Sequence, residues 1–137
     1  MKSYILLFTR LLLGIILFWQ GLGKIATWGI DNVYKNGFAS FEDSFLPNFV
    51  LKFTVYFTSY GEFLTGILLV LGFFRKLSYG VIALILLIVS FGHGMQSPIW
   101  DLQNVFIRAV LLVFIAWFYK DDSLNIDRFL FKNKEVV

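Results

Sequence analysis

The sequence contains no cysteine, one histidine and two prolines, and only 15% of its residues are charged. Without cysteine the chain cannot form disulfides, CxxC redox centres, thiolate metal sites or a c-type haem attachment. A single histidine also excludes bis-histidine haem, so we expect neither a metal nor a haem cofactor. No HExxH, GxSxG or GxGxxG motif occurs, and the Gly-x-Gly-Lys at positions 21–24 lacks the other residues of a Walker A loop.

Apolar residues are what the chain has in abundance. Of its 137 residues, 58% are hydrophobic and 20% aromatic, and the mean hydropathy is +0.76. Soluble domains are typically about half apolar and about a quarter charged. A chain this short cannot bury so much apolar surface inside one water-soluble globule. We therefore predict a polytopic membrane protein with a single domain, residues 1–137, whose main partner is the lipid bilayer.

Four apolar segments are each close to the ~20 residues needed to cross a ~30 Å hydrocarbon core. They lie at residues 4–24, 53–73, 77–94 and 103–119, followed by a tail at 120–137. The sequence thus predicts an all-α fold, a bundle of four transmembrane helices. The short connection between the second and third segments requires an antiparallel hairpin. We expect the first segment to be retained as a span, because Arg10 interrupts its apolar run and no A-x-A cleavage site follows.

Lysine and arginine concentrate at one end of this predicted bundle, at the N-terminus, in the second connection and in the tail. By the positive-inside rule, this distribution places both termini in the cytoplasm. The basic residues are spread over helix ends, so the net charge of +3 indicates topology and no nucleic-acid partner. The residues are Lys2, Arg75, Lys76, Lys120, Arg128, Lys132 and Lys134.

Short helices are predicted outside the spans as well. In the first outer connection, aromatic and apolar residues recur at helical spacing between Gly37 and Pro47, which predicts a short amphipathic helix on the outer surface or capping the bundle. In the tail, a second short helix is expected, with Asp122 or Ser123 as its N-cap. The apolar residues concerned are Phe38, Phe41, Phe45 and Leu46 in the connection, and Ile126, Phe129 and Leu130 in the tail.

Polar side chains are rare inside membrane spans and normally face the bundle interior in pairs. On the first span, positions three or four residues apart share one helix face, which holds Arg10, Gly14, Leu17, Gly21 and Lys24. Glycines on such a face allow close helix contacts, within one chain or between copies, so a homo-oligomer is left open. The candidate site residues are Arg10, Gln20, Lys24, Glu62, His93, Asn104 and Arg108.

Glu62 is the central residue of this set, because a carboxylate near the membrane midplane needs a cationic partner. We expect Arg108, Arg10 or both to neutralise it. Two arginines around one carboxylate would leave a net positive interior, which suits an anionic or carbonyl-bearing guest. His93 could accept a proton, since its unperturbed pKa is about 6.5. Alternatively, the buried charges only hold the helices together.

The chain also resembles the DoxX family. "RLLLGIILFWQGLGKI" is similar to the family's opening signature, "GEFLTGILLVLGFFRKLS" to its second span, and "DSLNIDRFL" to its Ser-Leu-x-x-Asp tail. The Gly-Pro-Gly often found before that tail is replaced by Lys120, Asp121 and Asp122. The resemblance implies a four-helix protein of the bacterial inner membrane, linked to quinone handling. It also implies a polar core made of Arg10, Lys24, Glu62 and His93.

These observations lead to one main functional hypothesis, a membrane subunit that binds a quinone or a related small carbonyl or phenolic compound. Glu62 and His93 would be its catalytic residues. A soluble or membrane redox partner would supply electrons, so whether the chain is itself an enzyme stays open. A transporter or channel for a small anion or proton, and a scaffold of a membrane complex, are the alternatives. The predicted ligand-binding residues are Arg10, Gln20, Lys24, Asn104 and Arg108.

Overall fold

The computed structural model of the chain describes residues 1–43, 45–96 and 103–130, with the backbone alone for Asn104. Lys132 and Lys134 lie outside these ranges. The described residues form α-helices and short helical turns, as the all-α prediction requires. The α-helices are α1 (Lys2–Leu22), α2 (Ile30–Gly37), α3 (Asn48–Leu71), α4 (Arg75–Gln96), α5 (Gln103–Trp117) and α6 (Ile126–Leu130).

Three helical segments are long and apolar enough to cross a membrane: Lys2–Thr27, Asn48–Leu71 and Arg75–Gln96. The first continues α1 through a π-helical turn, Gly23–Thr27. α3 begins at Asn48, earlier than the expected residue 53, because Pro47 precedes it in an extended conformation and starts the helix. α5 has 15 residues, or about 22 Å of helix, so it is shorter than the other three.

A tight turn joins α3 and α4 and makes them antiparallel, as their short connection predicted. Gly72 ends α3 in the left-handed region, with φ of 70°. The N–H of Gly72 donates to the carbonyl of Leu69 (3.1 Å), and the N–H of Phe73 donates to that of Leu68 (2.9 Å). This is the Schellman arrangement, in which a glycine satisfies the last carbonyls of a helix. α4 begins directly afterwards, at Arg75.

α1 and α3 cross in close contact at glycines. A Cβ added to Gly66 would lie 2.5 Å from the backbone nitrogen of Phe18 and 2.9 Å from the carbonyl oxygen of Gly14. A Cβ added to Gly21 would overlap the backbone of Phe63. The predicted glycine face of the first span therefore packs against α3 within one chain, since any side chain at these positions would force the helices apart.

The first connection differs from its prediction. Its α-helix, α2, lies at Ile30–Gly37, while the described residues of the stretch predicted to be helical contain a three-residue 3₁₀ turn, Ala39–Phe41. Asp31 in the first turn and Lys35 in the last complement the dipole of α2. These charges indicate the helix from the sequence, but the prediction relied on the spacing of the aromatic residues that follow. The aromatic residues instead divide between core and surface: Phe41 is buried, whereas Phe45 is 76% exposed.

The tail folds back onto the turn between α3 and α4, where the N–H of Asp127 donates to the carbonyl of Gly72 (3.1 Å). The short helix expected there is α6. Its capping residue is Asn125, whose side-chain oxygen accepts from the N–H of Arg128 at 2.8 Å. Asp122 and Ser123, the predicted caps, are used elsewhere: Asp122 binds buried arginines, and Ser123 donates to the Ser3 hydroxyl.

Candidate functional site

Glu62 lies on α3 with none of its surface exposed, and it is held between two cations. Its Oε2 atom is 2.6 Å from Nζ of Lys24, a direct charge-assisted hydrogen bond. Its Oε1 atom is 3.6 Å from Nη1 of Arg108 on α5, an ion pair slightly too long for a hydrogen bond. The expected pairing of Glu62 with Arg108 is therefore present, and Lys24 is a second, closer partner.

Arg108 in turn donates from Nη1 to Oε1 of Gln20 at 2.6 Å. Gln20 and Lys24 are four residues apart, so α1 and its π-helical continuation present both side chains to the same region. The four residues Gln20, Lys24, Glu62 and Arg108 thus form one connected group, called the outer network below. π-Helical turns are rare in proteins, but those that occur are often at functional sites. Lys24 lies in such a turn.

Arg10, the rival partner predicted for Glu62, lies elsewhere, so this part of the prediction is wrong. Its Nε donates to Oδ2 of Asp122 (3.0 Å), and its two terminal nitrogens donate to the carbonyls of Leu69 and Leu124, both at 2.5 Å. The physical reason is distance along the helix. Arg10 precedes Gln20 by ten residues, or about 15 Å, which places it at the opposite end of the bundle.

Asp122 and Asp127 join Arg10 and Arg75 in a second group, called the inner network. Nη1 of Arg75 lies 3.1 Å from Oδ2 of Asp122, and its Nε lies 3.2 Å from Oδ2 of Asp127. Asp127 also accepts from the N–H groups of Phe74 and Arg75 at 2.8 and 3.0 Å, so it caps the start of α4 from the tail. The aspartate of the Ser-Leu-x-x-Asp tail, Asp127, and the preceding Asp122 were the signal for this network, but their partners were not predicted.

Apolar side chains fill the bundle between the two networks. Leu13, Leu17 and Leu69 are fully buried there and pack with Ile82 and Ile115. A transporter using Arg10 would require a water-filled path from that residue to the nearer face, yet Arg10 is 1% exposed and the tail covers it.

A cavity of about 670 Å³ adjoins the outer network. Its size is within the usual range for small-molecule sites, roughly 300–1,000 Å³. Lys24 and His93 line it together with apolar and aromatic side chains from the first connection, α3 and α4. The wall residues Leu87 and Phe91 are themselves exposed, by 68% and 56%, so this wall reaches the apolar surface of the bundle. Other apolar wall residues are Trp28, Phe38, Phe41 and Leu51.

The structure therefore brings four of the seven predicted site residues into direct contact and places a fifth, His93, in the wall of the adjoining cavity. Arg10 is in the inner network, and the side chain of Asn104 lies outside the described atoms. Among the described residues, Oε1 of Glu62 and Oγ of Ser59 are buried without a hydrogen-bond partner. A buried acceptor without a donor is costly, so Glu62 has unused capacity to accept a hydrogen bond.

The DoxX family model matches residues 5–94, which is more than half of the chain. The chain belongs to the DoxX family. The matched range contains all of α3 and most of α1 and α4, and with them Lys24, Glu62 and His93, whereas Arg108 and the tail lie beyond it. No curated protein and no solved structure matches the chain. Because it belongs to this family and has three helices long and apolar enough to cross a membrane, this DoxX protein is a multi-pass membrane protein.

Proposed function

We propose that this DoxX protein binds a quinone, or a related small carbonyl or phenolic compound, in the cavity beside the outer network. The observation that carries the proposal is the position of Lys24. Its side chain is 29% exposed and lines the cavity, while its Nζ is hydrogen-bonded to the fully buried carboxylate of Glu62. One residue thus links an apolar cavity to a buried acid.

The walls and charges of the cavity support a compound of this chemistry. The aromatic ring would lie among apolar side chains such as Phe38 and Phe41, and an apolar tail could extend past Leu87 and Phe91. Lys24 and His93 supply polar groups for ring oxygens. The outer network contains two cations and one carboxylate, so its net positive charge favours an oxygen that carries partial or full negative charge.

The same contacts provide a route for a proton. Lys24 separates the cavity from Glu62, so Nζ can donate a proton to a ring oxygen as the quinone is reduced. The 2.6 Å hydrogen bond between Nζ and Oε2 then lets Glu62 relay a replacement proton to Lys24. Arg108, 3.6 Å from Oε1, places a second positive charge beside Glu62. A bound quinone would supply two-electron, two-proton redox chemistry. Because the sequence has no cysteine and no flavin-binding motif, we propose that a partner protein supplies the electrons.

The proposal includes a membrane topology. Lys2, Arg75, Lys76 and Lys120 lie together at the end of the bundle that holds the inner network. We propose that this end faces the cytoplasm of a bacterial inner membrane, by the positive-inside rule. α5 would be the fourth span, both termini would be cytoplasmic, and the quinone cavity would lie in the outer half of the bilayer.

A fluorescence titration tests the proposal, because Trp28 is in the cavity wall. Adding ubiquinone-1 to the purified protein should quench tryptophan emission saturably, and Trp28→Phe should remove most of that quenching. Lys24→Met should weaken binding about tenfold or more, since a charge-assisted hydrogen bond contributes roughly 1.5–3 kcal/mol. Lys52→Met changes the same charge on an exposed residue of α3 and should bind normally. Quenching that never saturates, or that is equal in all variants, would sink the quinone proposal.

A structural role is the second candidate, and the complete burial of Glu62 and near-complete burial of Arg10 favour it. In that case the networks only hold the helices in place. The two roles are separated by Glu62→Gln: loss of quinone binding by a monodisperse, folded variant supports the site, whereas unfolding in detergent supports the scaffold. If Glu62→Gln unfolds, Lys24→Met separates the two roles, because Lys24 is partly exposed and its loss should weaken quinone binding while the protein stays folded.

A further inference from the structure

A second pocket lies at the opposite end of the bundle from the quinone cavity. Its volume is about 610 Å³, and it is formed where the start of α4 meets the end of α5. Lys76, Trp117, Tyr119 and Lys120 are among the residues that line it. Trp117 is 81% exposed, which is typical of a tryptophan at the boundary between lipid and water.

The charge of this pocket is positive. Lys76 and Lys120 are both exposed, and neither makes an ion pair with any residue in the described part of the chain. Nζ of Lys76 lies 5.3 Å from the centre of the Tyr119 ring, a cation–π contact that leaves its charge uncompensated. The acidic wall residue Asp121 is already paired, at 2.7 Å, with Lys2.

An apolar groove of about 520 Å³ adjoins the pocket through a shared wall residue, Trp117. It follows the exposed face of α5 past Val113 and Val110 towards Phe106. These residues are three or four positions apart, so they form a continuous stripe along the helix. A compact cationic pocket that continues into an apolar groove is complementary to an amphiphile with an anionic head and an acyl chain.

We propose that an anionic phospholipid occupies this site, with its phosphate between Lys76 and Lys120 and one acyl chain along the α5 groove. Basic pockets between transmembrane helices are known to select anionic headgroups, and each lysine near such a charge contributes roughly a factor of five in affinity. The proposal does not depend on the quinone site, which lies in the other half of the bundle.

Native mass spectrometry of the purified protein tests the proposal with phosphatidylglycerol and phosphatidylcholine of identical acyl chains. Wild type should retain phosphatidylglycerol preferentially. The double variant Lys76→Gln/Lys120→Gln should bind it about 25-fold more weakly, since two such contributions are lost. The matched control Lys35→Gln/Lys52→Gln removes two exposed lysines at the other end and should bind normally. Equal retention of both lipids, or no effect of the first double variant, would overturn the proposal.

Two further experiments test whether the bound molecule is a lipid with an acyl chain. Inorganic phosphate at millimolar concentration should not displace phosphatidylglycerol, and displacement would show that the pocket selects a free anion rather than a lipid. Ala109→Trp places a bulky ring in the apolar groove without changing a charge, and it should lower retention of the lipid. Leu64→Trp, on the exposed face of α3, is its control. Unchanged retention in Ala109→Trp would exclude an acyl chain along α5.

Discussion

Nζ of Lys24 lies 2.6 Å from Oε2 of Glu62, although the two residues are on different helices and 38 positions apart. One partner reaches the cavity surface and the other is sealed in the bundle. A buried carboxylate is tolerated at this depth only with cationic partners, and Lys24 and Arg108 provide them. The pair is therefore both a structural link between α1 and α3 and the polar end of the proposed quinone site.

The first prediction concerns this pair. Lys24→Met and Glu62→Gln should together cost less than the sum of their single effects, because each single variant leaves a charge without its partner. A double-mutant cycle on the free energy of unfolding in mixed detergent micelles should give a coupling of about 0.5–3 kcal/mol. The equivalent charge-removing substitutions at exposed residues, Lys52→Met and Asp43→Asn, should show coupling near zero. Additive losses at the first pair would mean that the ion pair contributes no net interaction.

The second prediction concerns the inner network, where two neighbouring aspartates provide a matched comparison. The side chain of Asp122 is 3% exposed and serves two arginines, whereas that of Asp121 is 45% exposed and pairs with Lys2. Asp122→Asn should lower the free energy of unfolding by about 3–5 kcal/mol, because Arg10 and Arg75 would lose a buried carboxylate. Asp121→Asn should cost less than about 1 kcal/mol. Equal effects in detergent unfolding curves would contradict the assignment of a buried network.

The third prediction concerns the crossing of α1 and α3. Gly66→Ala should destabilise the protein by about 1–3 kcal/mol, because its new methyl group meets the backbone of Phe18. Gly80→Ala, in α4, has no atom within 4 Å of its added methyl and should be neutral or stabilising by up to about 1 kcal/mol. Thermal unfolding in detergent would compare them, and equal midpoints for the two variants would rule out the close crossing.

The fourth prediction concerns the cap that the tail provides for α4. Asp127→Ala removes the acceptor for the N–H groups of Phe74 and Arg75. Loss of a helix cap costs about 0.5–2 kcal/mol, so exchange of these two amide hydrogens should accelerate roughly two- to thirtyfold. Arg128→Ala, on the exposed side of α6, should leave their exchange unchanged. Unaltered exchange in Asp127→Ala would show that the tail does not cap this helix.

The sequence predicted the buried faces of the helices well. Of the residues expected to share one face of the first span, Arg10, Gly14, Leu17 and Gly21 are buried, and Lys24 is 29% exposed. Glu62 and Gly66 on α3 are buried as well. Helical period and residue type are sufficient for this, because they decide which side of a helix can face lipid. Of the two partners of Glu62, Arg108 was predicted and Lys24 was not. Both contacts depend on how far α1, α3 and α5 are shifted along their axes relative to one another, which the sequence does not give.

The cavity of the proposed quinone site depends even more on tertiary structure. His93 was predicted as a catalytic residue and Lys24 as a ligand-binding residue, but the wall that encloses both also requires the first connection to fold over α3 and α4. Its helix formed at Ile30–Gly37, upstream of the aromatic stretch from which a helix was predicted. Local apolar spacing could not distinguish residues that line a cavity, such as Phe38 and Phe41, from the face of an amphipathic helix.

The sequence by itself determined that this chain is an all-helical membrane protein, where its main apolar helices lie, and which faces carry polar residues. These are local properties, set by hydrophobicity, segment length and helical period. Only the tertiary structure decided how the charges are paired. Arg10 binds Asp122, 112 residues away, and not Glu62, because ion pairs form between groups that the crossing and offset of the helices bring within a few ångströms.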